Sequence, residues 1–255
     1  MVYVTGDTHG DFHRFSAKAF PEQKEMTRED IVIVLGDFGG IWMQQETPEE
    51  KYNLNWLNDR PFTLCFIDGN HENYDRLFSD EYPVVDFHGG KAHQIREHVF
   101  HLMRSFVFDF GGKNFFVMGG ARSHDICDGI LDPDNYPDPD AFKREYKRWN
   151  KEKRMFRVNH LSWWKQEIPS EDEMGVACST LKGLDYTVDY VLTHCLPNKA
   201  STALAFADTN PLTLFFDTLL DEGLTFTEWH CGHYHTATEI FGKYHVHYYD
   251  IEKIL

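Results

Sequence analysis

The chain lacks the features that would assign it to several common classes. It contains no CxxC pair, and its five cysteines (Cys65, Cys127, Cys178, Cys195 and Cys231) are an odd number. A disulfide framework or a thiolate zinc site is therefore not expected, and a reducing compartment fits. No apolar run approaches the roughly 20 residues that a membrane-crossing helix needs. Positive charge is scarce: 25 Lys and Arg against 41 Asp and Glu give a net charge of −16, the wrong sign for a general binder of nucleic-acid backbone. There is no internal repeat and no low-complexity tract. The opening stretch MVYVTGDTHG has no basic region and no small-residue cleavage site. It reads as a strand, and a cytoplasmic setting with no membrane partner is expected.

What is present points to a folded α/β chain. Its 255 residues are 42% hydrophobic and 15% aromatic, enough for one sizeable core, so a single domain spanning 1–255 is expected. Short apolar runs ending in Gly, Asp or His read as buried strands: 1–5, 31–37, 62–70, 106–110, 114–120, 189–194, 226–233 and 243–250. Helical patterns fall at 11–20, 47–58 and 211–222. The runs 106–110 and 114–120, joined by a GGK turn, read as a hairpin. Residues 126–183 interrupt the alternation and are expected to form a helical insertion over one face. Within it, Asp138 and Pro139 start a basic helix over 143–157 that carries Lys147, Arg148 and Lys151. A second helix starts at Ser170, with Glu173 completing a capping box, and stops near Gly183. The basic helix is expected either as a solvated face or as a patch attracting an anionic substrate.

Metal-ligating side chains follow five of these strands. They are Asp7 and His9 in GDTHGD, Asp37 in GDFGG, Asn70 in DGNHEN, His194 in TH, and His233 with His235 in GHYH. Strand ends in an α/β sheet converge on one crevice. Asp7 and His9 are two apart, as are His233 and His235, and in extended chain such pairs point the same way. Seven candidates suit two ions, with Asp37 shared between them. Mixed imidazole and carboxylate donors without thiolate favour transition metals over calcium or magnesium. Manganese ranks first, with iron, zinc, cobalt or nickel able to use the same donors. His230 and Cys231 are expected to finish a buried strand, and Cys195 and Cys231 to be packed, neutral thiols.

The ordered series GD-x-HG, GD, GNHE, TH and GH-x-H, spanning residues 6–235, resembles the calcineurin-like metallophosphoesterase superfamily. The strings GDFGGIW, FIDGNHENYD and MGGARSHD look like its bacterial and phage branch. The resemblance implies two mixed β-sheets packed as a sandwich flanked by helices. It implies one metal held by Asp7, His9, Asp37 and His235, and a second by Asp37, Asn70, His194 and His233. It also implies hydrolysis of phosphate mono- or diesters by a metal-bridging hydroxide, with His71 beside the substrate as acid or phosphate contact.

One departure is visible. Phosphoprotein phosphatases of the superfamily carry GD-x-x-DR, whereas here Gly40 and Ile41 stand at the last two positions. A phosphate contact must come from elsewhere, and Arg122 is the nearest candidate, with Arg96 and Arg104 behind it. His124 and Asp125 either enter the pocket or form a solvated turn, and Trp163 and Trp164 are expected at the root of the insertion. The competing functions are a nucleotide phosphodiesterase, a Ser/Thr phosphoprotein phosphatase, and a catalytically weak scaffold with the same fold. A long nucleic-acid polymer is disfavoured as partner by the acidic charge.

Overall fold

The computed structural model describes residues 1–204, 206 and 208–255. In chain order its strands are β1 (Val2–Thr5), β2 (Ile31–Leu35), β3 (Thr63–Ile67), β4 (Val84–Phe87), β5 (Gly90–Arg96), β6 (Val99–Leu102), β7 (Val107–Phe110) and β8 (Lys113–Met118). They continue with β9 (Ile130–Leu131), β10 (Arg157–Val158), β11 (Tyr190–Thr193), β12 (Glu228–Cys231), β13 (Thr238–Ile240), β14 (Tyr244–Val246) and β15 (Ile251–Lys253). The α-helices are α1 (Pro48–Asn58), α2 (Tyr74–Leu77), α3 (Pro139–Lys151), α4 (Glu171–Lys182), α5 (Asn198–Ser201) and α6 (Pro211–Asp221).

The strands make two large mixed sheets and a two-stranded ribbon. One sheet has the order β15-β1-β2-β3-β6-β5-β4, the other β13-β14-β12-β11-β8-β7, and the ribbon joins β9 to β10. β1, β2, β3 and β6 are parallel neighbours, as are β8, β11, β12 and β14. Antiparallel strands finish the edges.

Side-chain alternation along the strands produces the layers. Ile31, Ile33 and Leu35 of β2 pack between the sheets with Phe115, Val117 and Leu192. Val32 and Val34 of the same strand face outward, against Leu54 and Leu57 of α1. On the far side, Val191, Trp229 and Cys231 meet Leu181 of α4 and Leu212, Phe216 and Leu219 of α6. Covering both faces of the central strands is what makes them continuous apolar runs in the sequence. The result is a sandwich of two mixed sheets flanked by helices, and β7 and β8 form the expected hairpin.

Two expectations are corrected, and one element is new. The pattern at 11–20 gives one 3-10 turn, His13–Phe15, instead of a helix. There the buried Arg14 donates to Thr5 Oγ1, to the carbonyls of Gly6 and Asp7, and to the carbonyl of Tyr248. Those tertiary bonds, with Pro21 disfavouring helical geometry at Phe20, override the local pattern. The basic helix expected over 143–157 ends at Lys151. Lys153 adopts φ +54° and the Arg154 N–H donates to the Trp149 carbonyl at 3.1 Å, a left-handed closure that stops the helix. Phe156, expected on that helix, instead folds back onto Tyr146 and Trp149. Finally, the meander β4–β5–β6 was not expected, because its interior is partly polar. His93 and His101 are buried there with their Nδ1 atoms 3.0 Å apart.

Segment 126–183 carries β9, α3, β10 and α4. Its two helix starts follow the sequence: Asp138 accepts from the Ala141 N–H, and Ser170 with Glu173 forms a reciprocal capping box.

Candidate metal centre

The loops after β1, β2, β3, β11 and β12 meet at one end of the sandwich. The first two are tied together by main-chain bonds. The N–H groups of Thr8 and His9 donate to the Asp37 carbonyl, and Gly10 N–H to that of Phe38. The Gly232 N–H donates to the His194 carbonyl, joining the last two. The Arg14 guanidinium, held among the carbonyls of residues 6, 7 and 248, fixes the chain around Asp7.

Both carboxylates are buried and oriented. Asp7 Oδ1 accepts from the His233 N–H at 2.8 Å, which leaves Oδ2 to the site. Asp37 Oδ1 accepts from the His71 N–H at 2.7 Å. Backbone packs so tightly on them that glycine is required. A Cβ on Gly232 would lie 2.4 Å from Asp7 Oδ1, and one on Gly69 2.2 Å from Asp37 Oδ1.

The imidazoles close around these oxygens. His235 Nε2 is 3.1 Å from Asp7 Oδ2. His9 Nε2 is 3.7 Å from Asp7 Oδ2 and 3.8 Å from Asp37 Oδ2. His194 Nε2 is 3.3 Å from Asp37 Oδ1. The other His194 nitrogen, Nδ1, donates to the Leu35 carbonyl at 2.6 Å, so Nε2 is the atom presented to the site, where a bound cation would take the place of a proton. The ring of His233 lies 4.9 Å from those of His194 and His124. Asp7, Asp37, Asn70 and His194 are buried, whereas the side chains of His9 and His235 are 37% and 52% exposed, so the site opens to solvent on their side.

The doublets do not converge as extended chain. His9, Asp37, His233 and His235 have φ values of 46°, 50°, 70° and 48°. Left-handed kinks turn these side chains inward, and strain of this kind gathers at functional sites.

The electrostatics are those of a crowded ionic cluster. Burial favours the neutral acid at Asp37, yet His194, His71 and His9 hold its carboxyl well below the usual carboxylate range. Burial opposes a charged His194, but Asp37, Asp7 and the Leu35 carbonyl raise it to about 9. The contact between Asp37 and His194 is not aligned as a hydrogen bond, so its attraction is one of charge. Burial and then the neighbouring His194 push His233 well below the ordinary histidine value. Behind Asp37, burial and then Asp37 itself raise the Glu72 carboxyl well above its normal range.

Six buried side-chain polar atoms have no hydrogen-bond partner among the described residues, and three of them are Asp7 Oδ2, Asn70 Oδ1 and His194 Nε2. Buried polar atoms are rarely left unpaired without a reason. Asp7 and His194 belong to the site, where Asp7, His9 and His235 form one ligand-competent group and Asp7, Asp37 and His194 another, and Asn70 adjoins His71, whose N–H bonds Asp37.

A family model described as calcineurin-like phosphoesterase matches residues 1–237. The chain belongs to that family. Comparison with curated proteins gives no match. Calcineurin-like phosphoesterases hydrolyse phosphoesters with divalent metals, and the orphaned donors of this chain fit that requirement.

Not every histidine near the motifs serves the site. His230 lies within β12, buried, 3.0 Å from His247 Nε2 and 3.2 Å from Glu228 Oε2. The neighbouring group His247, Asp250 and Glu252 could also be read as a ligand cluster. Both nitrogens of His247 are already spent, on His230 and on Asp250 at 2.7 Å. Cys195 and Cys231 are buried, and burial raises both thiols. The structure places Arg122 half-exposed, 3.8 Å from Asp208. Arg104 is buried, with its donors taken by Asp68, Tyr74, Gln166 and Glu173. Arg96 is engaged by Asn55, Glu46 and the Ile95 carbonyl. Trp164 is fully buried and donates to Asp75.

One group was missed. Arg157, on β10, reaches His71, with two guanidinium nitrogens each 3.3 Å from a ring nitrogen. Nothing in the sequence around Arg157 separates it from the other basic residues of the segment. Its partner Asp125 and the neighbouring His124, whose Nε2 is 2.8 Å from His233 Nε2, both enter the site region.

Proposed function

We propose that this calcineurin-like phosphoesterase uses a dinuclear divalent-metal centre to hydrolyse phosphate mono- or diesters. The proposed ligands are Asp7, His9, Asp37 and His235 for one ion, and Asp37, Asn70, His194 and His233 for the other. The observation that carries this reading is the convergence of unpaired Asp7 and His194 donor atoms on the site that also holds His9, Asp37 and His235. The donor chemistry favours manganese, iron, zinc, cobalt or nickel. When bound, such ions neutralise phosphoryl charge and make a water molecule nucleophilic near neutral pH.

The chain's own residues supply the frame. Asp37 carries charge to the centre of the site, and Gly69 and Gly232 let backbone approach the two carboxylates. His194 is held in one tautomer by the Leu35 carbonyl. His71 stands beside Asp37 on its own N–H bond. Burial lowers its pKa, Asp37 opposes that and Arg157 adds to it, for a net decrease. A ring neutral at pH 7 is a weak general acid but a competent hydrogen-bond donor. We therefore assign His71 to a phosphoryl oxygen in preference to proton delivery. The segment 126–183 is taken as an insertion within a single domain.

The test is turnover of p-nitrophenyl phosphate, its bis ester and a panel of biological phosphoesters by protein loaded with each metal in turn. The expected result is hydrolysis that EDTA abolishes and added Mn²⁺ restores. Metal-loaded protein that cleaves none of them would refute the enzyme reading.

A further inference from the structure

We propose that Arg157 is the phosphate-binding residue of this centre and that it favours phosphomonoester dianions. The proposal rests on the phosphoesterase reading for its substrate class. Its geometry is independent of turnover.

The motif position that carries an arginine in phosphoprotein phosphatases holds Ile41 here. The guanidinium of Arg157 stands at the same centre from a distant part of the chain. Its NH1 and NH2 lie 3.3 Å from His71 Nδ1 and Nε2. The two ring nitrogens of an imidazole diverge, so one planar group cannot bond edgewise to both. Both contacts are long for hydrogen bonds, and they set the terminal edge of the guanidinium against the imidazole. His71 in turn is 2.7 Å from Asp37 through its N–H, and its ring is 5.2 Å from that of His9. Arg157 is therefore separated from the ligand cluster by a single imidazole.

The arginine is held and not saturated. Its Nε is 2.9 Å and 2.8 Å from the two Asp125 oxygens, and NH2 is 2.7 Å from Oδ2. NH1 donates to the Ser162 carbonyl at 3.3 Å. Of its five N–H groups, three are held by Asp125 and Ser162, and the other two, one on each terminal nitrogen, meet only the His71 ring at 3.3 Å, a weak contact that phosphoryl oxygens can replace. The side chain is 18% exposed and Asp125 46%, so the fork is fixed and partly open to solvent. The ribbon sets the position: Arg157 and Val158 pair in register with Ile130 and Leu131. Asp128 anchors the approach through the Met155 N–H and carbonyl. Most other arginines near the site do not compete. Arg14 and Arg104 are committed to buried acceptors, and Arg122 faces Asp208.

Two parallel N–H groups match two oxygens of a phosphoryl group. A monoester dianion offers more peripheral oxygen and more charge than a diester monoanion, so the fork selects the former. In this account the insertion supplies the cation that the second motif lacks.

The experiment measures binding of inorganic phosphate by calorimetry to metal-loaded wild type, Arg157→Gln and Arg157→Lys, alongside kcat and KM on the mono- and bis-p-nitrophenyl esters. Metal content is determined for each. Arg157→Gln is expected to weaken phosphate binding by about 10- to 100-fold, the range for a lost charge-assisted hydrogen bond, with metal content unchanged. Arg157→Lys recovers part of the loss, because it keeps charge but not the fork. Arg157→Ala is expected to regain affinity when millimolar guanidinium is added, which a merely structural role would not allow. The loss on the monoester should exceed that on the diester. Weakened phosphate binding without turnover in wild type would keep this assignment and remove the enzyme reading. Normal turnover with unchanged phosphate affinity in Arg157→Gln would overturn the assignment and spare the enzyme reading. Equal losses on both esters would overturn the monoester preference.

Discussion

Asp37→Asn is expected to lower kcat on p-nitrophenyl phosphate by on the order of 10³-fold or more, the scale of losing a central electrostatic group in a metal site. The substitution is nearly isosteric, so the fold should persist. The change falls on charge. Asp37 lies within 3.8 Å of His9 Nε2 and 3.3 Å of His194 Nε2 and accepts from the His71 N–H. It is the anion against which three histidines are arranged. An amide oxygen in its place can still accept from His71, but an NH₂ group then faces the cluster. Among the described residues, the neighbouring acids are otherwise engaged. Asp7 has Oδ1 on the His233 N–H and Oδ2 on the His235 side, and Glu72 behind the site is held towards its neutral form by burial and by Asp37. Circular dichroism should show wild-type secondary structure while turnover is lost. Retained activity within about tenfold, a shift of only ~1.4 kcal/mol in the barrier, would remove Asp37 from the centre.

The second large effect is on stability. Arg104→Met is expected to cost about 3–5 kcal/mol, the usual result of breaking a buried ion pair on one side, and to lower Tm by on the order of 10 °C. Arg104 Nε donates to Asp68 Oδ2 at 2.7 Å, and Asp68 Oδ1 is 3.1 Å from His101 Nε2. All three side chains are almost fully buried. Burial works against the Asp68 carboxylate, but Arg104 and then His101 hold it well below the usual range. Removing the guanidinium leaves a buried carboxylate with one histidine. The pH dependence follows from that direction. The folded carboxyl titrates below its unfolded value near 3.9, so its stabilisation is complete above that pH and lost as pH falls through the folded value. The gap between wild type and Arg104→Met should therefore stay constant from pH 7 to about pH 4 and narrow as pH falls below about 4 in denaturant unfolding. The same network bears on the site, because the Asp68 carbonyl accepts from Gly120 N–H at 2.7 Å and Asp68 is two residues from Asn70.

The central strands and the candidate donors at their ends were readable because burial on both faces writes itself as an unbroken apolar run. IVIVL and TLCFI are β2 and β3 in full. The polar residues that end such runs are then conspicuous. What stayed hidden depends on tertiary bonds. The meander β4–β5–β6 buries His93 against His101, so no apolar period announces it. The turn at His13–Phe15 is held by Arg14 reaching carbonyls far along the chain. Pairs two residues apart suggested extended geometry, yet His9 and His235 point inward through positive φ, which sequence spacing cannot express. Arg157 was one basic residue among many until β9 and β10 paired and set it on His71.

The central claim is that donors from five strand ends hold two ions through a shared Asp37. It is tested most directly by counting bound metal after equilibrium dialysis against Mn²⁺, by elemental analysis of wild type and Asp37→Asn. Two ions per wild-type chain, falling to one or none in the variant, is the predicted result. No ion retained by wild type, or two retained undiminished by Asp37→Asn, would contradict it.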